Sequence, residues 1–229
     1  MTSPTFILLP DVAIVNIFVL QKEAVAVKTP YHRANLKQSL LDSAVALVAE
    51  VGPQAFTLRE VARRAGVSHN APYRHFHDKR DLLGAVAAQG FDRLDESMRK
   101  AMAGGSTATD RLRLSGRGYV QFALDYPQHL LVMFDTPSSE EARPEYAQAA
   151  LRAFQTLVDA IAAVQAEGGL PPGDPLPFAI VSWAGVHGLA KLAISGRLPF
   201  DPAQTLRFTE YVTQVLARGM PLVGVPTPA

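Results

Sequence analysis

The sequence predicts an all-α protein, in which a small N-terminal domain of three helices precedes a larger helical domain. Apolar residues recur at the helical spacing i, i+3, i+4 and i+7 from residue 33 onwards. After residue 30, no stretch alternates apolar and polar residues with the period of two that indicates a strand. Glycines and prolines fall between the helical stretches, where they end one helix and precede the next.

We divide the chain into residues 31–80, residues 81–229 and an N-terminal extension, residues 1–30. The extension contains an apolar run at 6–20, which is shorter than the ~20 residues of a membrane span and includes Pro, Asp and Asn. It lacks the positive start and the small-residue cleavage site of a signal peptide. A strand-like tail, a docked helix and translation from an upstream start all stay open. We expect no function and no membrane contact from this segment.

The first predicted helix covers residues 33–51, where apolar residues keep the 3.6-residue period, and Gly-Pro at 52–53 stops it. A short second helix follows Thr57. Glu60 stands three residues after Thr57, which is the spacing of a capping box. Gly66 comes after the last apolar position and is free to adopt the left-handed conformation that ends a helix.

A third helix is expected to start at Ser68, as its N-cap, and to run to Phe76 or His77. Two short helices joined by a tight turn with glycine form a helix-turn-helix. The outer face of the third helix carries hydrogen-bonding side chains, namely His69, Asn70, Tyr73, Arg74 and His77. Pro72 removes one backbone N–H, so we expect an irregular opening turn. A short helix with a donor-rich face suits the major groove of DNA.

The second domain is expected to contain only helices and to start with a long one, from Asp78 to about Met102, which joins it to the first domain. The further predicted helices cover residues 109–126, 127–134, 145–167, 177–195 and 201–219, with a polar loop at 137–144 and a proline-rich connection at 171–177. The stretch 178–194 is apolar on nearly every side, so protein must cover it. It can be a central core helix, or half core and half dimer interface.

Charge is distributed unevenly along the chain, although the net charge is only +1. Residues 31–80 contain eight Lys and Arg against four Asp and Glu, whereas residues 81–229 contain twelve against fifteen. A basic first domain on an acidic body is typical of a DNA-binding protein with a separate partner domain. The alternative is that charges are divided between the two parts by chance, since the difference is modest. The position of the helix-turn-helix in the basic part favours DNA binding.

Several classes of function are disfavoured by the sequence. The absence of cysteine excludes disulfides and thiolate sites, and it fits a reducing cytoplasm. There is no nucleophile elbow, P-loop or dinucleotide-binding glycine pattern. His75 and His77 are two residues apart, so they face differently on a helix and make a poor metal pair. We therefore expect no enzyme, no catalytic residue, no metal and no cofactor.

Residues 57–83, TLREVARRAGVSHNAPYRHFHDKRDLL, resemble the DNA-binding domain of TetR-type transcriptional regulators. Residues 183–190, WAGVHGLA, resemble the W-x-x-x-H-G signature of one class of TetR ligand-binding domain, the WHG domain. The resemblance covers roughly residues 31–220. It implies a cytoplasmic homodimer, most often a repressor, which binds a palindromic double-stranded DNA operator and is released by a small-molecule effector.

Resemblance and helix geometry together suggest which residues contact DNA. The expected phosphate contacts are Thr57, Tyr73 and Lys79, and the expected base contacts are His69, Asn70 and Arg74. Arg59 can reach either, Ala71 can touch a thymine methyl group, and Ser68 opens the predicted recognition helix. Lys79 stands at the start of the next helix, where its ammonium and free backbone N–H groups suit a phosphate.

The second domain offers candidates for an effector pocket, which are Phe122, Met133, Phe134, Trp183 and His187. Trp183 and His187 are four residues apart and share a helix face. They can be polar groups in an apolar pocket, or a packed tryptophan and a core histidine bonded to a backbone carbonyl. A pocket of these residues favours an apolar or aromatic molecule. The last two helices, with their broad apolar faces, are the predicted dimer interface.

Two other functions remain as alternatives. One is a helical small-molecule-binding or catalytic protein whose N-terminal domain merely packs. The other is a non-specific chromosome-packing protein, which would bind DNA with strong salt dependence and no sequence preference. The acidic body disfavours the second, because a protein that coats DNA gains from positive charge throughout.

Overall fold

The computed structural model describes residues 36–135 and 144–219, and all of these residues fall in one compact unit. The N-terminal extension, the first residues of the predicted 33–51 helix and the loop at 137–143 lie outside the described residues. In the described part there are eight α-helices and no strand, which confirms the all-α prediction. These helices are α1 (Leu36–Val51), α2 (Leu58–Arg64), α3 (Lys79–Met102), α4 (Ala108–Asp125), α5 (Pro127–Asp135), α6 (Pro144–Ala166), α7 (Leu176–Ile194) and α8 (Pro202–Gly219). The division into domains at residue 80 stays a prediction.

The start of α2 is fixed by the predicted capping box. The backbone N–H of Thr57 donates to Oε2 of Glu60 at 2.7 Å, and the backbone N–H of Glu60 donates to Oγ1 of Thr57 at 3.3 Å. The two bonds satisfy donors that the first helical turn leaves unpaired. At the other end, Gly66 has a φ of +68°, the left-handed conformation expected after the helix.

The predicted third helix from Ser68 to His77 is wrong. The structure has only a single 3-10 turn, Pro72–Arg74, between α2 and α3. Proline has no N–H to donate to the carbonyl of Ser68, so the first α-helical bond cannot form. Instead, the N–H of Ala71 donates to the Ser68 carbonyl at 2.9 Å, three residues back. The segment is therefore a compact pair of turns, anchored by the buried ring of Phe76.

The long helix α3 is the centre of the molecule, since it packs against α1 on one side and against α4, α5 and α6 on the others. Its N-cap is Asp78, as predicted, whose Oδ1 accepts the N–H of Asp81 at 2.7 Å. Gly118 lets α4 come close, because a Cβ there would lie 2.7 Å from the backbone oxygen of Ser97. One buried apolar cluster extends from α1 through α3 to α7.

The helix α7 is apolar all round and long enough, by length and composition alone, to span a bilayer. It packs against α4, α6 and α8, and about a third of it is buried in the single chain. An apolar surface on all sides and only partial burial in the single chain are together typical of a core helix whose exposed side contacts another protein surface. Its bounds, and those of α4 to α6 and α8, agree with the predicted bounds to within one or two residues.

Candidate DNA-binding surface and effector cavity

The predicted DNA contacts lie mostly on the surface of α2 and of the turns that follow it. The exposed ones among the described residues are Thr57, Arg59, Ser68, His69, Asn70, Tyr73 and Arg74. Among them, Tyr73 leaves 53% of its surface exposed. Polar side chains and one aromatic ring are therefore accessible along this part of the chain.

Ala71 must be removed from the set of expected DNA contacts. It is only 8% exposed and belongs to the buried apolar cluster of the N-terminal helices. The reason is the turn geometry, because replacing the predicted helix by two tight turns directs position 71 inwards. A thymine methyl group cannot reach it without moving neighbouring side chains.

Lys79, the first residue of α3, folds back on the loop between α1 and α2. Its Nζ donates to the backbone oxygen of Gln54 at 2.8 Å and lies 5.3 Å from the ring centroid of Phe56. The side chain therefore ties α3 to this loop. An ammonium has three donors, so one bond to a carbonyl leaves capacity for a phosphate.

A cavity of about 680 Å³ lies between α3, α4, α5, α6, α7 and α8. Its walls are mainly apolar. Aromatic rings are frequent among them, namely Phe91, Tyr119, Phe134, Tyr146, Phe154 and Trp183. Three of the five predicted pocket residues, Met133, Phe134 and Trp183, line this cavity.

The other two predicted pocket residues are not in the cavity lining. Phe122 is fully buried in the core next to Tyr126, about one turn of α4 beyond Tyr119, which is the last α4 residue of the lining. His187 lies behind the wall, with its ring centroid 4.5 Å from that of Phe134. Its Nδ1 is 2.8 Å from the Tyr119 hydroxyl, so the ring pairs with a side chain that lines the cavity.

Tyr119 is a cavity residue that the sequence did not single out. Burial raises the pKa of its phenol above the usual range, so the group stays protonated and serves as a hydrogen-bond donor or acceptor. With His187 and Trp183 it forms an aromatic cluster whose ring centroids are about 6 Å apart. This cluster holds the cavity face of α7 against α4.

Sequence reasoning also missed Arg113, Tyr146 and Phe154. No sequence pattern singles out Arg113, because Asp110 at i−3 and Arg117 at i+4 place it at the edge of a polar face of α4. No pattern singles out the α6 residues either, since a stripe of aromatic residues is equally typical of a core.

Two family models match the chain. One, described as bacterial regulatory proteins of the tetR family, matches residues 40–86. The other, described as a tetracyclin repressor-like C-terminal domain, matches residues 112–216. The chain belongs to the TetR family. It is therefore a DNA-binding transcription regulator of the helix-turn-helix class, and the family indicates a regulator rather than an enzyme. The WHG subclass stays a prediction.

Named HTH-type transcriptional regulators match part of the chain. The transcriptional repressor Rv3405c of Mycobacterium tuberculosis is 41% identical over 59 residues, which are 26% of this chain and 31% of that protein. The repressor KstR of Mycolicibacterium smegmatis is 30% identical over 97 residues, 42% of this chain and 46% of the relative. The matches thus span less than half the length of these relatives.

Solved structures match nearly the whole described fold. A protein of unknown function from Rhodococcus sp. RHA1 has a TM-score of 0.73 at 32% identity, over 85% of this chain and all of the other. FadR of Bacillus subtilis, solved in complex with stearoyl-CoA, has a TM-score of 0.69 at 17% identity, over 80% and 98%. At that identity the second match shows the fold alone.

Proposed function

We propose that this TetR-family protein is a homodimeric repressor that binds a palindromic operator and is released when a small apolar or aromatic molecule fills the cavity. One observation supports the proposal above all: a single helix, α3, connects the proposed DNA-binding surface with the cavity. α3 starts at Lys79, one of the proposed DNA contacts, and lines the cavity with Phe91, Leu94 and Met98. A ligand that shifts α3 therefore shifts the N-terminal helices with it.

The proposed DNA contacts divide into two kinds. Thr57, Tyr73 and Lys79 hold phosphates and set the position of the protein on the duplex. His69, Asn70 and Arg74 read base edges, with Arg74 suited to guanine and Asn70 to adenine. Arg59 serves either purpose, and Ser68 stands beside the base-reading group. All of these residues except Lys79, which is half-buried, are exposed, and this exposure supports the proposed roles.

The proposed dimer forms through α7 and α8. Both helices expose large apolar side chains on the single chain, among them Ile180, Val181, Leu192, Phe208, Tyr211 and Val215. An exposed apolar surface of this size is typical of a protein–protein interface. Two helices from each subunit make a four-helix interface with two-fold symmetry, and a two-fold dimer fits a palindromic site.

The proposed effector is a small molecule that is mostly apolar. A volume of about 680 Å³ lies within the roughly 300–1,000 Å³ of small-molecule sites. FadR, a protein of the same fold, was solved in complex with stearoyl-CoA, so the fold is compatible with a ligand that carries a long apolar chain. Release requires that the effector bind more tightly to the conformation that does not fit the operator.

Selection from a random DNA pool by the full chain, at near-physiological salt, tests the proposal. We expect enrichment of sequences with two inverted half-sites, centred about one or more helical turns apart. Enrichment of a single half-site would contradict the dimer on a palindrome. Retention of DNA with no sequence enrichment would favour a packing protein, and no retention would favour a ligand-binding protein whose N-terminal helices only pack.

A further inference from the structure

We propose that the effector carries one anionic group and that this group pairs with the guanidinium of Arg113. The inference rests on the proposed effector site. Arg113 is the one charged side chain among the cavity-lining residues that the structure describes. It projects from α4 into a wall that is otherwise apolar, aromatic or neutral polar. A single cation in such a wall favours a ligand that carries one negative charge.

The hydrogen-bonding capacity of Arg113 is not used up within the protein. Its Nε atom is buried and has no hydrogen-bond partner in the described part of the chain. Its Nη1 lies 3.3 Å from Oδ1 of Asp110, which is longer than the about 2.7–2.9 Å of a close charge-assisted bond. Asp110 also accepts the hydroxyl of Ser106 at 2.9 Å. The ion pair is thus loose, and the Nε edge is left without an acceptor.

A buried donor without an acceptor costs the desolvation of that group, and the cost is larger for a charged one. A ligand acceptor at the Nε edge removes this cost, so it binds more tightly than an isosteric neutral group. The planar fork of a guanidinium matches a carboxylate or a similar oxyanion in two parallel bonds. The unsatisfied Nε therefore indicates an acid.

Three other polar side chains of the cavity have hydrogen-bond partners in the protein. The hydroxyl of Ser115 donates to the Leu112 carbonyl at 2.7 Å, and that of Thr213 donates to the Glu210 carbonyl at 3.1 Å. The hydroxyl of Tyr119 is paired with a histidine at 2.8 Å. These three hydroxyl groups are paired without a ligand, whereas Nε of Arg113 has no hydrogen-bond partner among the described residues.

The other residues of the lining indicate the chemistry of the rest of the ligand. Aromatic rings and aliphatic side chains dominate, so the body is apolar and accepts ring packing. Phe91 and Met98 both line the cavity and stand about 10 Å apart along α3. That length suits a body of two rings or an equivalent chain, with the acid at one end.

Paired probes test this inference, namely biphenyl-4-carboxylate and its neutral isostere biphenyl-4-carboxamide. Trp183 is the only tryptophan of the chain and lines the cavity, so its fluorescence reports occupancy, with calorimetry as the second readout. We expect the wild-type protein to bind the carboxylate about tenfold or more tightly than the amide. Arg113→Gln should bind both alike, and Arg113→Lys, which keeps charge but not the fork, should retain part of the preference.

The matched control is Arg117→Gln. Arg117 stands one turn further along α4, pairs with Glu210 and does not line the cavity, so its loss should leave the preference unchanged. Equal binding of the two probes to wild type, a preference that survives Arg113→Gln, or no binding of the carboxylate up to its solubility limit would each overturn the inference. If Arg113→Gln does not fold, Arg113→Lys is the test. A preference of Arg113→Lys for the carboxylate that equals that of wild type would overturn the inference.

Measuring DNA binding in the presence of each probe separates this inference from the proposed function. Carboxylate binding that depends on Arg113 but leaves DNA affinity unchanged keeps the ligand class and rejects effector release. Release of DNA by the neutral amide, with no role for Arg113, keeps effector release and rejects the acidic class.

Discussion

His129 on α5 and Gln89 on α3 are joined by a hydrogen bond of 3.1 Å between Nε2 of the imidazole and Oε1 of the amide. The amide nitrogen of Gln89 in turn donates to Oε1 of Gln38 on α1 at 3.2 Å. Because the amide already donates to Gln38, its oxygen faces the histidine, and His129 is the donor through Nε2. This row of side chains connects α5, which carries cavity residues Met133 and Phe134, with the N-terminal helices.

The environment of His129 predicts a pH-dependent stability. Its Nδ1 is buried without a partner in the described residues, and burial, reinforced by Arg93, lowers the pKa of the ring to about 4. Between the usual value of 6.5 and about 4, the unfolded chain binds more protons, so stability falls as the pH drops through this range. The loss attributable to this residue is at most about 3 kcal/mol.

Urea unfolding from about pH 7 to about pH 5 measures this loss in wild type and in His129→Gln, which keeps a donor but does not titrate. Every other titrating group is common to the two proteins. We expect the variant to show the flatter pH dependence. Parallel curves would contradict the assignment of a neutral, buried ring.

A charge on the exposed face of α8 should separate the subunits. Val215 is 49% exposed in the single chain, and in the proposed dimer Val215→Glu would bury an unpaired carboxylate. We expect a monomer in sedimentation velocity at a concentration where wild type is a dimer. Leu151→Glu on α6, where leucine is 65% exposed but lies off the proposed interface, is the control and should stay dimeric. A dimeric Val215→Glu would place the interface elsewhere.

Lys79→Ala should weaken binding to every DNA sequence by a similar factor. If Lys79 holds a phosphate, its loss reduces the slope of log affinity against log salt by roughly one unit. A small loss of stability is also expected, because the bond to the Gln54 carbonyl disappears. Lys100→Ala, an exposed lysine at the far end of α3, should leave the slope unchanged. An unaltered slope for Lys79→Ala would remove this residue from the phosphate contacts.

Arg74→Ala should act at one position of the operator. Loss of a two-bond contact to guanine costs about 1–3 kcal/mol there and relaxes the preference for that base. Affinities for a set of single-base operator variants measure this, with Arg152→Ala, exposed on α6 away from the proposed interface, as the control. Uniform weakening across the set would make Arg74 a phosphate contact instead.

Local features of the fold could be predicted from sequence because local interactions determine them. Thr57 with Glu60, and Asp78 with Asp81, are hydrogen bonds between residues three apart, so spacing alone indicates them. The turn at Pro72 was predicted only as an irregular start of a helix. One missing N–H in so short a segment left too few α-helical bonds to sustain it.

The cavity could be predicted only in part, since it depends on how six helices pack. Of the predicted pocket residues, Met133, Phe134 and Trp183 line the cavity, whereas Phe122 lies in the core. Aromatic residues at helical spacing suit a core and a cavity wall equally well. Which face of α4 meets the cavity is decided by distant residues, and no local pattern contains that information.

Titration of the purified protein into labelled DNA from upstream of its own gene, beside a scrambled fragment of the same length, tests the central claim most directly. At near-physiological salt, a sequence-specific regulator should prefer the native fragment by ~10³ or more. Equal affinity for the two fragments, falling steeply with salt, would contradict specific regulation at this site and indicate binding to the DNA backbone alone.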